Sequence, residues 1–253
     1  MLTEDQETPP SVNLRGSADG LAALREGRAD LGLIAHGPGM EIPPGHVEIP
    51  WAFYVAVVVA HRTNPIAELD YDQLSMAYGQ RPGRERGAPT WGEVGLGGAW
   101  STRAITPIAL RREEDLAMEI FRAKVLGERT WRDGLRTLAD PADVEQTVAR
   151  DPSAIAILSG HRLRGEVRSI PVRVGTSDFA HAPTEDSVYY GDYPLRVPVS
   201  LVFPRESQER LAPMLRHLLH DDTADRLRDL GLLTAPANER RESSLMLTVG
   251  DRP

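Results

Sequence analysis

The stretch that decides the fold is VEIPWAFYVAVVVAH, residues 47–61. From Trp51 to Ala60 it is apolar without interruption, too short to cross a bilayer and without the alternation of a half-exposed strand. Such a run suits a central strand covered on both faces. Working outward, LGLIAH (31–36) reads as a second buried strand, closed by the breaker run HGPGMEIPPG. Before it, VNLRGS (12–17) reads as a short strand, and Leu21, Ala22, Leu24 and Arg25 recur at helical spacing. Downstream, Tyr71 to Tyr78 predicts a short helix and residues 80–100 a Gly- and Arg-rich loop. ITPIAL (105–110) predicts a strand and Glu113 to Leu126 a helix. A further helix spans 141–150, with Asp140 as N-cap and Pro141 at its first position. AIAILS (154–159), VRSIPVRV (167–174) and PLRVPVSLVFP (194–204) read as strands, the last two separated by a polar stretch, 175–193. Two helices follow at roughly 206–219 and 222–230. Strands alternating with helices predict an α/β protein with mainly parallel sheets.

The 253 residues suffice for one large domain or two small lobes, and 41% hydrophobic with 26% charged residues is ordinary for a globular chain. A net charge of −8 argues against nucleic acid as partner. Absence of cysteine excludes disulfides, thiolate zinc sites and cysteine nucleophiles. MLTEDQETPP at the start lacks the basic and apolar regions of a secretory signal. The sequence as it stands therefore predicts a cytoplasmic protein, or an extracytoplasmic one if its N-terminus has been trimmed; membrane insertion is not expected. No GxSxG, P-loop, GxGxxG or HExxH motif occurs. His217 and His220 have a spacing compatible with a metal, but the helix dipole and N-capping by Asp221 or Asp222 account for that cluster. Neither a metal nor a cofactor is expected.

The order of segments carries more than any one of them. GSADGLAALREGRADLGLIAHGP (16–38) resembles the first ligand loop, helix and strand of the phosphate-binding-protein-like group of type II periplasmic binding proteins. Residues 51–80 are similar to that group's crossover strand, its H-x-x-N-P turn and the helix after it. TWGEVGLGGAWSTRAITPIAL (90–110) is similar to its W-x-E-x-G segment. DPSAIAILSGH (151–161) and YPLRVPVSLVFP (193–204) resemble its AIGY-x-G strand and its return crossover. The resemblance runs over roughly residues 12–236. It implies a two-lobed type II periplasmic-binding-protein-like fold with two crossover strands and a small ligand held in the cleft between lobes that close on it. Lobe one is expected over 1–58 plus 197–253 and lobe two over 59–196.

Departures from the pattern shape the functional expectation. The family opens with a strand–helix unit that this chain starts after, and SLMLTV (244–249) reads as a strand able to fill that position, within the chain, across a homodimer or beside a partner chain. Arg111 matches the family's arginine, but Asp115-Leu116-Ala117 replaces its Ser-Gly-Thr, whose hydroxyls and helix N–H groups hold the anion. Ser17 is kept, Asp19 stands where glycine is preferred, and Ala35-His36 where Ser-Asp or Ser-Arg is common. The expected ligand contacts are Ser17, Ala18, Asp19, His36, Tyr54, Arg111, Glu114, Asp115, Ser159 and His161. Charges of like sign about 4 Å apart repel by roughly 4 kcal/mol at an effective dielectric of 20. The acids at 114 and 115 therefore predict a small-molecule binding protein whose ligand is not free phosphate. The competing readings are an enzyme using Glu114, Asp115 and His36 for acid–base work, and an interaction protein that completes its sheet with another chain. Helix capping explains the acids without any ligand. Trp51, Phe53 and Tyr54 are expected either as hinge packing or as an aromatic wall, and Tyr189, Tyr190 and Tyr193 as a lid.

Overall fold

A computed structural model describes residues 11–12, 16–37, 40–80, 89–111, 116–160, 163, 165–175 and 177–247. Helix α1 (Ser17–Arg25) buries Leu21 and Leu24 and returns into β1 (Gly32–Ala35). The long apolar run is β2 (His46–His61), followed by β3 (Leu69–Asp70) and α2 (Tyr71–Tyr78), which Asp70 and Gln73 close with a reciprocal capping box. Then come β4 (Thr106–Leu110), α3 (Leu116–Phe121) with a π turn over Arg122–Leu126, β5 (Arg136–Leu138), α4 (Pro141–Arg150) and β6 (Ala154–Ser159). The remainder is β7 (Val167–Ser169), β8 (Val172–Arg173), α5 (Glu185–Tyr190), β9 (Arg196–Pro204), α6 (Gln208–Leu218), α7 (Asp221–Asp229), β10 (Leu233–Thr234) and α8 (Ala237–Met246).

Strand β2 is the spine. Its first part, His46 to Val55, pairs with β9, and β10 lies along Ala52 and Phe53; its second part pairs with β6 from Ala56 to Ala60 and with β7 from Val59 to His61. A register shift between Pro50 and Ala52 marks a bulge in the middle of the strand. One strand thus serves two packed bodies. A large core surrounds its second part, with Val57, Ile108, Phe121 and Ile157 at its centre. A smaller one covers the first part, with Ile49, Leu201, Phe203 and Leu215, and α1 closes the opposite face through Leu21, Leu24, Ile34 and Val202. The chain is a mixed α/β protein of two lobes, with β2 and β9 as the crossover strands.

The sheets are less parallel than expected. Among the described residues, parallel pairing is confined to β4 with β5 and β6, and to β3 with β8; every pair that includes β2 or β9 is antiparallel. The return crossover runs back against the outgoing one, and apolar periodicity reports burial, not strand direction. Residues 167–174 are not one strand but two, broken at Ile170-Pro171, with β7 on β2 and β8 on β3. SLMLTV is not a strand either: α8 continues through Met246, Leu247 is its buried C-cap, and residues 248 and 249 lie outside the described residues. The run ANERRESS is a good helix former, and its buried Arg240 anchors it, so the helix overrides the alternation that follows. Of VNLRGS, Val12 is in no strand and residues 13–15 lie outside the described residues.

Two quoted motifs turn out to be structural. In H-x-x-N-P, Asn64 is 2% exposed, donates from Nδ2 to Pro152 O (3.0 Å) and accepts from Ile66 N (3.0 Å), which fixes the turn after β2. In W-x-E-x-G, Trp91 is fully buried and donates from Nε1 to Ser153 O (3.2 Å), while Glu93 Oε2 accepts from Thr90 N (2.8 Å). Among the described residues no helix is long and apolar enough to cross a membrane.

Candidate functional site

The residues singled out by sequence fall into two groups, which flank the middle of the outgoing crossover. At the first, Ser17 opens α1 and its Oγ accepts from Ala35 N (2.9 Å), tying the helix N-terminus to the end of β1. Ala18 and Asp19 are exposed in that first turn. His36 extends the β1–β9 ladder, its N–H donating to Pro198 O (2.9 Å). Its imidazole Nε2 lies 2.9 Å from Glu48 Oε1 and 3.1 Å from Ser200 Oγ, and Ser200 Oγ in turn donates to Glu48 Oε1 (2.7 Å). An ionised carboxylate only accepts, so Nε2 carries the hydrogen and Nδ1 keeps its lone pair in the neutral ring. Both partners meet the same nitrogen, so this is not a serine–histidine–acid relay, which needs one partner on each. Nδ1 has no hydrogen-bond partner among the described residues, and the side chain is 21% exposed.

Glu48 and Ser200 were not anticipated. Each is a polar residue in a strand otherwise rich in apolar ones, and Ser200 is 1% exposed. That was the available signal: a buried polar group needs a partner, although the sequence does not say which.

The second group sits on the other lobe. Ile108 of β4 is level with Ala156 of β6, so Arg111 and Ser159 follow at matching heights at the ends of adjacent parallel strands. Arg111 is exposed and its N–H donates to Leu138 O (2.8 Å). Ser159 lies opposite Ala56 of β2 and, with Gly160 and Leu163, lines a shallow depression of ≈ 250 Å³ beside Pro141, Ala142 and Glu145 at the start of α4. Glu114, Asp115 and His161 lie outside the described residues.

Of the crossover aromatics, Trp51 and Phe53 are packed and fastened. Trp51 and Phe53 are buried, and Trp51 Nε1 donates to Leu218 O (2.7 Å). Phe53 meets the Tyr189 ring edge-on at 6.1 Å, with the Arg196 guanidinium 5.3 Å over its own ring. Tyr54 is partly buried against both cores. The lid reading is corrected: Tyr193 is fully buried and donates to Ala56 O (2.8 Å), while Tyr189 and Tyr190 both donate to Glu239 of α8. Tyr189 and Tyr190 sit in α5, a helix missed within a polar stretch and begun by a capping box of Thr184 and Ser187. Around His217 and His220, the N-cap of α7 is His220, whose side chain accepts from Asp222 N; neither aspartate caps it. No cluster of three or more metal-binding side chains occurs among the described residues.

Burial pushes the Tyr71 phenol up to about 12, and burial together with the bond to Glu239 does the same for Tyr189. A folded-state value above the unfolded one gives stability that is complete below pH 10 and lost as pH rises toward 12. Stability measured by urea titration is therefore expected to fall across pH 10 to 12, in step with the tyrosinate absorbance.

No family model matches this chain, and no curated protein matches it. Solved structures do. A "possible phosphate binding protein" from Planctomyces limnophilus superimposes with a TM-score of 0.68 at 13% identity, covering 91% of this chain and 84% of that one. The fold is that of the phosphate-binding proteins. PstS from Borrelia burgdorferi gives 0.63 at 12% identity, over 88% and 85% of the two chains. An ABC-type phosphate transport receptor from Vibrio cholerae gives 0.58 at 16% identity, over 86% and 85%. At such identities the phosphate-binding-protein fold is what is shared, and the residues at its cleft must be judged on their own chemistry.

Proposed function

We propose that the chain is a small-molecule binding protein that holds, between its lobes, a ligand other than free phosphate. Lobe one is taken as residues 1–58 with 197–253 and lobe two as 59–196, and closure is taken to hinge where β2 and β9 cross between them. The observation that carries the reading is the His36–Glu48–Ser200 cluster beside the N-terminus of α1. A phosphate dianion is best met by donors and positive charge. Here Glu48 already engages the His36 imidazole and the Ser200 hydroxyl, and Asp19 and Glu48 bring two carboxylates to the same lobe. On lobe two, Arg111 and Arg112 are followed in sequence by three acids, Glu113, Glu114 and Asp115. This chemistry favours a ligand that presents O–H or N–H donors, or positive charge, over a bare oxyanion.

The test uses inorganic phosphate as probe and native mass spectrometry of the purified protein. Phosphate at concentrations that saturate a phosphate receptor is expected to leave the melting temperature unchanged. A melting temperature that climbs with phosphate as RT ln(1 + [L]/Kd) would overturn the reading. In native spectra the expected result is a bound organic mass that is lost on denaturation and depleted in His36→Ala.

A further inference from the structure

We propose that α5 is a latch that holds the two lobes at a set separation, a third tie beside the two crossover strands. Helix α5 lies in the segment that leads out of β8 and into the return crossover, and Val188 seats it in the large core. Its polar side chains reach the other way. At its start, Glu185 Oε1 takes Arg228 Nε and Nη2 of α7, both at 3.0 Å, and Arg228 is only 18% exposed. At its end, Tyr189 and Tyr190 give their phenol hydrogens to the two oxygens of Glu239 in α8, at 3.1 and 2.8 Å. Helices α7 and α8 belong to the smaller core, through Leu227 and Leu247. One short helix is thus packed into one lobe and fastened at both ends to the other.

Geometry makes these contacts a set. The two phenols sit on consecutive residues with their rings 5.0 Å apart and edge-on, so a single carboxylate can receive both only when α5 and α8 keep one mutual orientation. A rotation that moves α8 by an ångström or two takes both bonds past hydrogen-bond length together. Glu185 and Arg228 resist sliding along the other axis. The carboxylate–phenol bonds are charge-assisted; the Tyr190 bond is exposed, while the Tyr189 bond and Arg228 are partly shielded and hold more firmly. An element that gives way all at once, and not gradually, is what a two-position lobe movement requires. The latch depends on the two-lobed fold and not on what the cleft binds, so it stands or falls separately from the ligand reading.

The absence of cysteine makes the test direct. Spin labels on Glu209→Cys in α6 and Arg136→Cys in β5, both exposed positions, report the distance between the lobes by double electron–electron resonance. The otherwise unchanged chain is expected to give one narrow distribution. Tyr189→Phe with Tyr190→Phe, which keeps both rings, and separately Glu239→Gln, should each broaden it at least twofold or add a second distance. Circular dichroism should stay unchanged. An unaltered distribution in the double phenylalanine variant would overturn the proposal whatever Glu239→Gln does.

Discussion

Replacing Arg240 by methionine is expected to cost about 3 kcal/mol of folding stability, read as a lower urea midpoint at unchanged m-value. Arg240 is 3% exposed, an unusual place for a cation. Its guanidinium donates to Ala235 O (2.6 Å), Leu219 O (3.3 Å) and Thr234 Oγ1 (3.4 Å), and pairs with Asp221 at the start of α7. One side chain thereby ties α8 to the end of α6, to α7 and to β10. Methionine fills a similar volume but leaves the carbonyls without donors, at about 1–3 kcal/mol for each buried group that finds no water. Replacing a buried ion pair by apolar residues is often neutral, but that holds when both charges leave the interior. Here Asp221 is largely exposed and can rehydrate, so the cost lies in the carbonyls. Asp221→Asn should therefore cost far less than Arg240→Met. Hydrogen bonding to Arg240 and its charge hold the Asp221 carboxyl below its usual value. A lowered carboxylate contributes stability above its unfolded value and loses it as pH falls through the folded one, so the gap between wild type and Asp221→Asn should close in acid.

Arg240 also shows where the sequence stops being legible. Its partners lie between residues 219 and 235, and no local pattern in ANERRESSLM reveals that one of two adjacent arginines will be buried. The apolar alternation of SLMLTV could be seen, and it pointed the wrong way. By contrast the run WAFYVAVVVA could only be a covered strand, and β2 is that. Its antiparallel setting could not be read, because direction depends on where the chain goes next. At the site, Ser17 and His36 were visible because they flank one local helix–strand unit. Glu48 and Ser200 were not, being 152 residues apart and joined only by the register of β9 between β1 and β2. The Thr184–Ser187 capping box was a local signal for α5, hidden by the polar stretch around it.

The junction between the lobes offers the sharpest test of close backbone approach. Gly160, which follows Ser159 at the rim of the depression, has φ +80, and a Cβ built there would stand 2.9 Å from Gly231 O and 3.0 Å from Gly231 Cα. Gly231 has nearly the same φ, +82, but a Cβ on it would meet nothing nearer than Ser159 O at 4.0 Å. The pair separates two effects that usually come together. Gly231→Ala bears only the left-handed backbone, about 1–2 kcal/mol. Gly160→Ala bears that and a collision with main chain that cannot rotate away, so about 3–4 kcal/mol is expected, the excess being of the size of overpacking in a core. The collision is also directional. It pushes the end of β6 away from the turn between α7 and β10, the place where one lobe's strand touches the other lobe's loop. Gly160→Ala should therefore speed amide exchange at residues 229–234 beyond what its loss of stability explains, and Gly231→Ala should not. Equal costs for the two substitutions would show that the contact relaxes freely, and the junction would then be a loose seam instead of a bearing.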